Sequence, residues 1–521
     1  MSVRSDAGLD AILSELAATS HSARDHLEIA AVLESMGWTD QQAADMGYDS
    51  VFHLADVVYG LTRAPAQVST FIPLPQRSRL EAAMVTLRSF LRGSMFALPM
   101  LISVGAFFML GYSLWASLYL SVELTTAAVL GTILSFVVTG GFTQAIARRG
   151  MMYLAQDEYN LARRVSFSLV RMGLIVALLA GVAVCFISIA FDIFPIRMLS
   201  VLLIYYFFLS AVWLSVTIFY MLQQERMYTF IMTAGIVAVV LLHEVARLDI
   251  IRAQMVALGS VALVSFLVAL RLFIKAERRH AGESEVALPR WSIVVYTSLP
   301  FFGYGFLLFS FLFIDRLIAW SAVSEYMPYF IWFRGEYELG HDFGLVTLVL
   351  PLGMVETIIV SSVERLRYLQ SRYDVEQPQA FRAAFLGHYR AQLRNYLVAV
   401  GVNGLLVVVI AGLVFARYPA TRLSPAGSFV FHCTVVGYAL IAGGLINALF
   451  MFCLSQPLPV LRCFTTATLV NISVAFVLSR MISYEWAVLG MVAGAGVFLV
   501  TSTRAALGLL SELDYYVYYP V

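Results

Sequence analysis

Residues 291–320 read WSIVVYTSLPFFGYGFLLFSFLFIDRLIAW, and this segment contains no charged side chain before Asp315. A helix needs about 20 apolar residues to cross the hydrocarbon core of a bilayer, which is roughly 30 Å thick. The segment therefore predicts a membrane-spanning helix, and eleven further stretches of similar character accompany it. The predicted spans are 93–118, 121–147, 165–190, 196–222, 229–246, 253–276, 291–320, 343–364, 394–416, 428–454, 457–479 and 485–510.

The composition of the whole chain agrees with this pattern. The 521 residues are 60% hydrophobic and only 13% charged, and the mean hydropathy is +0.82. Soluble domains carry about 25% charged residues. The sequence therefore predicts an all-α, polytopic membrane protein with 12 transmembrane helices in contact with the lipid bilayer. A net charge of +1 indicates no basic surface for nucleic acid, and no nucleic-acid partner is expected.

The distribution of basic residues predicts the orientation in the membrane. Lys and Arg accumulate in cytoplasmic loops, and an N-terminus inside the cell places all but eight of the 34 Lys and Arg residues on that side. Both termini are then cytoplasmic. Lys275 is the single lysine among many arginines, which is typical of a GC-rich genome and indicates a bacterial cytoplasmic (inner) membrane. The eight exceptions are Arg197, Arg247, Arg252, Arg316, Arg334, Arg417, Arg422 and Arg480.

The first part of the chain follows a different pattern. Apolar residues recur at helical spacing between Leu9 and Val58, which predicts a small cytoplasmic helical domain with Trp38 and Phe52 as core aromatics. Thr39 provides an N-cap signal inside this domain, and a proline-containing linker follows it. The predicted division is 1–64 helical domain, 65–92 linker, 93–276 first six-helix lobe, 277–290 cytoplasmic linker, 291–510 second six-helix lobe and 511–521 cytoplasmic tail.

Two pairs of similar sequence motifs indicate that the lobes are repeats of each other. Leu98-Pro99 in the first span corresponds to Leu299-Pro300 in the seventh, and Tyr153-Leu154 after the second span corresponds to Tyr368-Leu369 after the eighth. Lobes of equal orientation would be related by an axis along the membrane normal. Pro99 and Pro300 are then the predicted hinges, because proline weakens the helical hydrogen-bond ladder.

The candidate substrate pathway consists of polar side chains within or beside spans. Ionisable groups inside a bilayer are costly, and they usually face the protein interior or a water-filled cavity. Asp315 and Arg316 lie near the outer end of the seventh span, where the alternative is that both snorkel to the headgroups. Arg334 and Glu338 belong to a predicted outer loop rich in aromatic residues, which suits sugar stacking or forms an ordinary aromatic belt. The candidates are Glu356, Asp315, Arg316, Gln144, Arg334 and Glu338.

Motifs of soluble enzymes are missing from the sequence. It contains no Walker A sequence for binding phosphates, no Gly-x-Ser-x-Gly and no His-Glu-x-x-His. The four cysteines show no metal-ligand spacing. We therefore expect a protein that is not an enzyme and that uses no cofactor and no metal.

Three short segments resemble one transporter family. Phe313–Trp320, Tyr337–Gly340 and Met354–Thr357 are similar to segments of PelG-like proteins, the membrane subunits of the Pel exopolysaccharide transporter. These belong to the multidrug/oligosaccharidyl-lipid/polysaccharide exporter superfamily. The resemblance implies two six-helix lobes around a central cavity, and a substrate that is a polysaccharide or a lipid-linked sugar. It also implies a cytosolic glycosyltransferase and other membrane subunits as partners.

Two other functions remain open from the residues alone. One is an ion-coupled antiporter for small molecules of the multidrug type. The other is a scaffold that carries no substrate and anchors a polysaccharide synthase in the membrane. The predicted function is export of a polysaccharide or lipid-linked oligosaccharide by alternating access of the two lobes.

Overall fold

The computed structural model describes Leu13, Tyr515 and residues 26–35, 38–62, 78–95, 98–279, 290–322, 327–373, 377–417 and 422–513. The chain forms two compact units. The first comprises Met1–Leu74 with Arg367–Asp374, and the second comprises Pro75–Leu366 with Val375–Val521.

The first unit contains three short helices, α1 (His26–Ser35), α2 (Asp40–Asp45) and α3 (Val51–Thr62). Thr39 caps α2 with a capping box, in which its backbone N–H donates to Gln42 Oε1 over 3.0 Å. Leu33 and Leu54 belong to the fully buried apolar core. The expectation for Phe52 is wrong, because this side chain is about half exposed, whereas Trp38 packs against the core.

The second unit is a bundle of long apolar helices. Its helices, apart from the end of α13 that begins at Arg367 and belongs to the first unit, are α4 (Arg79–Met95), α5 (Leu98–Leu110), α6 (Val122–Leu154), α7 (Tyr159–Ala190), α8 (Ile196–Met221), α9 (Glu225–Val240), α10 (Ile250–Arg279), α11 (Trp291–Trp320), α12 (Gly335–Leu345), α13 (Val349–Arg372), α14 (Pro378–Arg417), α15 (Pro425–Cys453), α16 (Pro457–Met481) and α17 (Val488–Ser511). The part of the chain that the structure describes contains 11 helical segments long and apolar enough to cross a membrane. The all-α, polytopic fold class is therefore confirmed.

The remaining predicted span is shorter than expected. Its helix α5 has 13 residues, which at 1.5 Å per residue gives about 20 Å, less than the thickness of a hydrocarbon core. The helix ends because Gly111 has a φ of +81°, a backbone conformation outside the right-handed helical region. Tyr112 then pairs with Ser117 in an isolated bridge. The expectation of a helix continuing to residue 118 is wrong.

The eighth predicted span begins earlier than expected. A helical segment runs from Gly335 to Arg372, with a single 3₁₀ turn at Val346–Leu348 between α12 and α13. Glu338, which sequence reasoning placed in an outer loop before this span, therefore lies on a helix, whereas Arg334 directly precedes it. The hydropathy pattern did not reveal α12, because this helix carries many polar side chains and hydropathy detects only apolar segments.

The two lobes meet along α6 and α11. In the first lobe α6 packs against α7 and α8, and in the second α15, α16 and α17 pack together. Across the boundary, Gly140 and Gly305 bring the two backbones into contact: a Cβ atom built at Gly305 would lie 2.2 Å from the Gly140 carbonyl oxygen. The rings of Phe136 and Phe309 stack at 5.2 Å. We call this contact between α6 and α11 the seam.

Candidate functional site

Charged side chains from α11 and α12 converge inside the second lobe. Asp315 and Arg316 lie near the last turn of α11, whereas Glu338 and His341 lie on one face of α12 because residues three apart in a helix are neighbours. All four residues are buried, with exposed fractions of the whole residue of 0% for Asp315 and His341, 6% for Arg316 and 5% for Glu338. We call these four residues the buried charge cluster.

An ion pair forms the first half of the cluster. Arg316 Nη1 lies 2.5 Å from Glu338 Oε2, and Trp320 Nε1 donates a hydrogen bond to Glu338 Oε1 over 3.0 Å. Asp342 approaches Arg316 at 3.5 Å from a partly exposed position. The guanidinium group thus points into the lobe, and the alternative that Asp315 and Arg316 snorkel to the headgroups does not hold.

A carboxyl–imidazole pair forms the second half. Tyr337 donates a hydrogen bond to Asp315 Oδ2 over 2.7 Å, and His341 Nε2 lies 2.9 Å from the same oxygen. Three buried polar atoms of the cluster have no hydrogen-bond partner among the described residues: Asp315 Oδ1, His341 Nδ1 and Arg316 Nε. Buried polar atoms are normally paired, so these atoms indicate a place for water, a proton or an ion.

Close helix packing holds α12 in this position. A Cβ atom built at Gly340 would lie 2.5 Å from the backbone oxygen of Gly427 in α15, and one built at Gly344 would lie 2.5 Å from the Thr434 side chain. Glycine is therefore required at both positions for α12 to approach α15. The approach presses the face that carries Glu338 and His341 toward α11.

The charges of the site do not balance among these side chains. Three carboxyl groups, from Asp315, Glu338 and Asp342, surround one guanidinium group and one imidazole. Unbalanced charge is expensive inside a membrane protein. The unpartnered atoms of Asp315 and His341 are the places where a proton or a cation would offset this charge, whereas the Asp342 side chain is 46% exposed and accessible to water.

Aromatic side chains connect the cluster with the seam. The Arg316 guanidinium carbon lies 5.6 Å from the centre of the Phe313 ring, which stacks at 5.6 Å on Phe136 of the first lobe. Phe136 in turn stacks on Trp213 at 4.3 Å. Movement of Arg316 would thus displace the Phe313 ring and, through it, the Phe136 ring at the contact between the lobes.

Two other predicted pathway residues lie outside the cluster. Gln144 is in α6, and its Cγ atom lies 2.6 Å from a Cβ atom built at Gly305, which places it at the seam. Arg334 precedes α12 and donates a hydrogen bond to the Ala322 carbonyl oxygen over 2.8 Å. Its guanidinium carbon also lies 4.9 Å from the centre of the Tyr484 ring. Arg334 therefore ties the segment before α12 to the segment before α17.

The sixth pathway residue and the two predicted hinges lie on separate helices. Glu356 lies in α13, three residues after Gly353, and its side chain is outside the described residues. Pro99 is the second residue of α5, a position in the first turn where proline costs little. Pro300 lies inside α11, where the missing N–H removes one hydrogen bond of the helix.

Sequence reasoning missed Tyr337 and His341 as members of the site. Both were assigned to an aromatic and charged loop, although Tyr337 is fully buried and donates to Asp315. The available signal was the helical spacing of Glu338 and His341 together with the small residues Gly340 and Gly344. Small residues at this spacing are typical of a close helix–helix contact.

Comparison with known proteins gives a structural likeness and no sequence relative. No protein-family profile matches the sequence, and no curated protein matches it. Among solved structures, the chain is similar to a multidrug resistance MATE family transporter of the MOP superfamily in an outward-facing conformation, with 14% identity and a TM-score of 0.55 over 83% of this chain and 96% of that one.

Two further solved structures are similar to this chain over nearly the same share of its length. A mutant form of the MATE transporter VcmN from Vibrio cholerae shares 11% identity and a TM-score of 0.58, over 84% of this chain and 98% of that one. The eukaryotic MATE transporter AtDTX14 shares 13% identity and a TM-score of 0.55, over 83% and 100%. This chain has the MATE transporter fold. At this level of identity the likeness concerns the arrangement of the helices, and the function has to be argued from the residues.

Proposed function

We propose that this protein exports a polysaccharide or a lipid-linked oligosaccharide outward across the cytoplasmic membrane of a bacterium. The observation that carries the proposal is the contact between two sequence segments that resemble PelG-like proteins. Asp315 and Arg316 of segment 313–320 bind Tyr337 and Glu338 of segment 337–340 over 2.7 and 2.5 Å. Segments with a shared resemblance thus form one buried site, as expected if the resemblance reflects a common mechanism.

Transport would proceed by movement of the two lobes about the seam. The seam carries the aromatic ring of Phe136, which stacks on the rings of Phe309 and Phe313 at 5.2 and 5.6 Å. Aromatic faces at the boundary of a pathway suit the apolar faces of sugar rings. Pro300 lies on α11 in the same contact region and supplies a flexible point in that helix.

The buried charge cluster would respond to the movement. Arg316 contacts both Glu338 and the Phe313 ring, so displacement of the ring alters the environment of the ion pair. We expect the cluster to release or bind a proton when the lobes change position. A cytosolic glycosyltransferase would supply the polymer, and residues 1–64 would provide a docking surface for it on the cytoplasmic side, where the distribution of Lys and Arg predicts both termini.

A second candidate function is ion-coupled antiport of small molecules. The specific observation in its favour is the Asp315–His341 pair, which is fully buried and retains the unpartnered atoms Asp315 Oδ1 and His341 Nδ1. Such a pair suits the binding of a proton or cation. The same pair also serves an exporter driven by an ion gradient, so the substrate separates the two candidates.

Deletion and complementation of the gene in its own host test the proposal. We expect the deletion to abolish one secreted high-molecular-mass polysaccharide, measured by sugar analysis of the culture supernatant. The wild-type chain should restore secretion and Asp315→Asn should not, at equal abundance in the membrane. Asp192→Asn is the matched control, because Asp192 lies exposed in the turn between α7 and α8. Unchanged polysaccharide in the deletion strain, with increased sensitivity to cationic dyes, would contradict export and support the antiporter.

A further inference from the structure

A cavity of about 670 Å³ lies at one end of the first lobe, apart from the seam and the buried charge cluster. It is surrounded by the C-terminal end of α6, the first residue of α7, the turn between α8 and α9, and the last turns of α10. The distribution of Lys and Arg predicts that this end faces the cytoplasm. A volume of this size is within the range of small-molecule binding sites.

The lining of the cavity is apolar on its walls and cationic at one side. Leu154, Met221 and Leu272 contribute apolar surface, and Lys275 and Arg279 contribute the positive charges. Lys275 and Arg279 are four residues apart on α10 and therefore project from the same face of the helix. None of the twelve described residues that line the cavity is acidic.

The acidic residue nearest to these cations in the sequence is already paired with another helix. Glu277 receives the Arg163 guanidinium of α7 at 2.7 Å and the Asn160 amide at 2.8 Å. Within the part of the chain that the structure describes, no ion pair is formed by Lys275 or by Arg279. The described carboxylates thus leave the positive charge beside the cavity unpaired.

We propose that this cavity binds an anionic membrane lipid with a phosphate headgroup. The phosphate would contact Lys275 and Arg279, and part of an acyl or polyprenyl chain would lie along the apolar walls. Basic pockets between helices on the cytoplasmic side of a membrane protein fit anionic lipid headgroups. Gln223 and Gln224, in the turn after α8, add amide donors for the remaining phosphate oxygens. The proposal does not depend on which substrate the protein transports.

The single lysine of the sequence makes the site directly measurable. The protein is placed in nanodiscs of phosphatidylcholine alone, or with phosphatidylglycerol or a polyprenyl phosphate added, and is acylated with an amine-reactive ester. The labelled fraction at Lys275 is read from its peptide by mass spectrometry. We expect either anionic lipid to slow labelling about fivefold relative to phosphatidylcholine alone, the factor for one basic side chain at an anionic lipid. The more protective of the two lipids identifies the source of the headgroup.

An internal control separates the cavity from general surface charge. Arg278→Lys introduces a second amine on the same helix, at an exposed position that does not line the cavity. In this variant the lipid should protect residue 275 and leave residue 278 reactive. Equal protection of both positions, or no protection at 275, would overturn the proposal. Protection by inorganic phosphate alone would show an anion site without a lipid and would also overturn it.

A direct measurement of lipid binding provides a second test of the proposed site. Native mass spectrometry of the protein should detect a retained anionic lipid, and the double variant Lys275→Gln/Arg279→Gln should lose it. The matched double variant Arg271→Gln/Arg278→Gln changes the same charge on α10 outside the cavity lining, and it should retain the lipid. Loss of the lipid in both double variants would contradict a specific site.

Discussion

The ion pair between Arg316 and Glu338 gives the most quantitative prediction. The two side chains are 7% and 6% exposed, and the closest approach of their charged atoms is 2.5 Å. Removing one partner of a buried pair leaves the other charge unpaired and costs about 3–5 kcal/mol. We therefore expect Arg316→Gln to lower the free energy of unfolding by about 3 kcal/mol or more.

A double-mutant cycle isolates the interaction between the two side chains. The double variant Arg316→Gln/Glu338→Gln contains no unpaired charge at these positions, so its destabilisation should be smaller than the sum of the single variants by about 2 kcal/mol or more. Unfolding is followed in detergent by tryptophan fluorescence. Trp320 is a suitable reporter because it donates a hydrogen bond to Glu338 in the same cluster.

The pair between Arg163 and Glu277 is the matched control. Its side chains are 31% and 18% exposed, and the distance between Arg163 Nε and Glu277 Oε2 is 2.7 Å. A pair with this much access to solvent contributes about 1 kcal/mol or less, so Glu277→Gln should have a small effect. Equal costs for Glu277→Gln and Arg316→Gln, or costs that add in the double variant, would refute the argument that burial makes the Arg316 pair different.

Three further predictions concern the seam, the first unit and α13. Gly305→Ala should destabilise the protein by about 1–3 kcal/mol relative to Gly401→Ala. A Cβ atom at 305 meets the Gly140 oxygen, whereas one at 401 meets no atom within 4 Å. Thermal unfolding of both variants measures this difference, and equal unfolding midpoints would contradict the seam contact. A fragment of residues 1–64 should give a helical circular dichroism spectrum and a cooperative melt, because α1 to α3 share one apolar core, and a disordered spectrum would count against an independent unit. Glu356→Gln should abolish polysaccharide secretion at normal abundance if Glu356 takes part in transport, and full secretion would remove it from the pathway.

Hydropathy was sufficient to predict most helices and failed where the backbone depends on local or tertiary detail. The segment 291–320 is a helix with the bounds that its apolar run predicts. The end of α5 at Leu110 depends on the positive φ of Gly111, which leaves no trace in the hydropathy of the following residues. The helix α12 escaped prediction because its polar side chains are buried against α11 and α15, and burial of a charge requires partners that are distant in the sequence.

Sequence reasoning named three residues of the buried charge cluster and did not predict how they are arranged. Asp315 and Arg316 were selected because charge inside a span is costly, and Glu338 because the predicted outer loop around it is rich in aromatic residues. Their pairing could not be derived, since it requires the packing of α12 on α15 through Gly340. The contact between Gln144 and Gly305 likewise follows from the close approach of two helices from different lobes.

Reconstituted transport tests the central claim most directly. Purified protein is inserted into liposomes, and the movement of a fluorescent oligosaccharide or of its lipid-linked form across the membrane is followed with and without an imposed proton gradient. We predict that the wild-type chain transports the oligosaccharide and that the rate depends on the gradient. For Asp315→Asn we predict rates near those of empty liposomes, with an unchanged helical spectrum. Equal transport by the wild type and Asp315→Asn, or no transport by the wild type above empty liposomes, would contradict the proposed function.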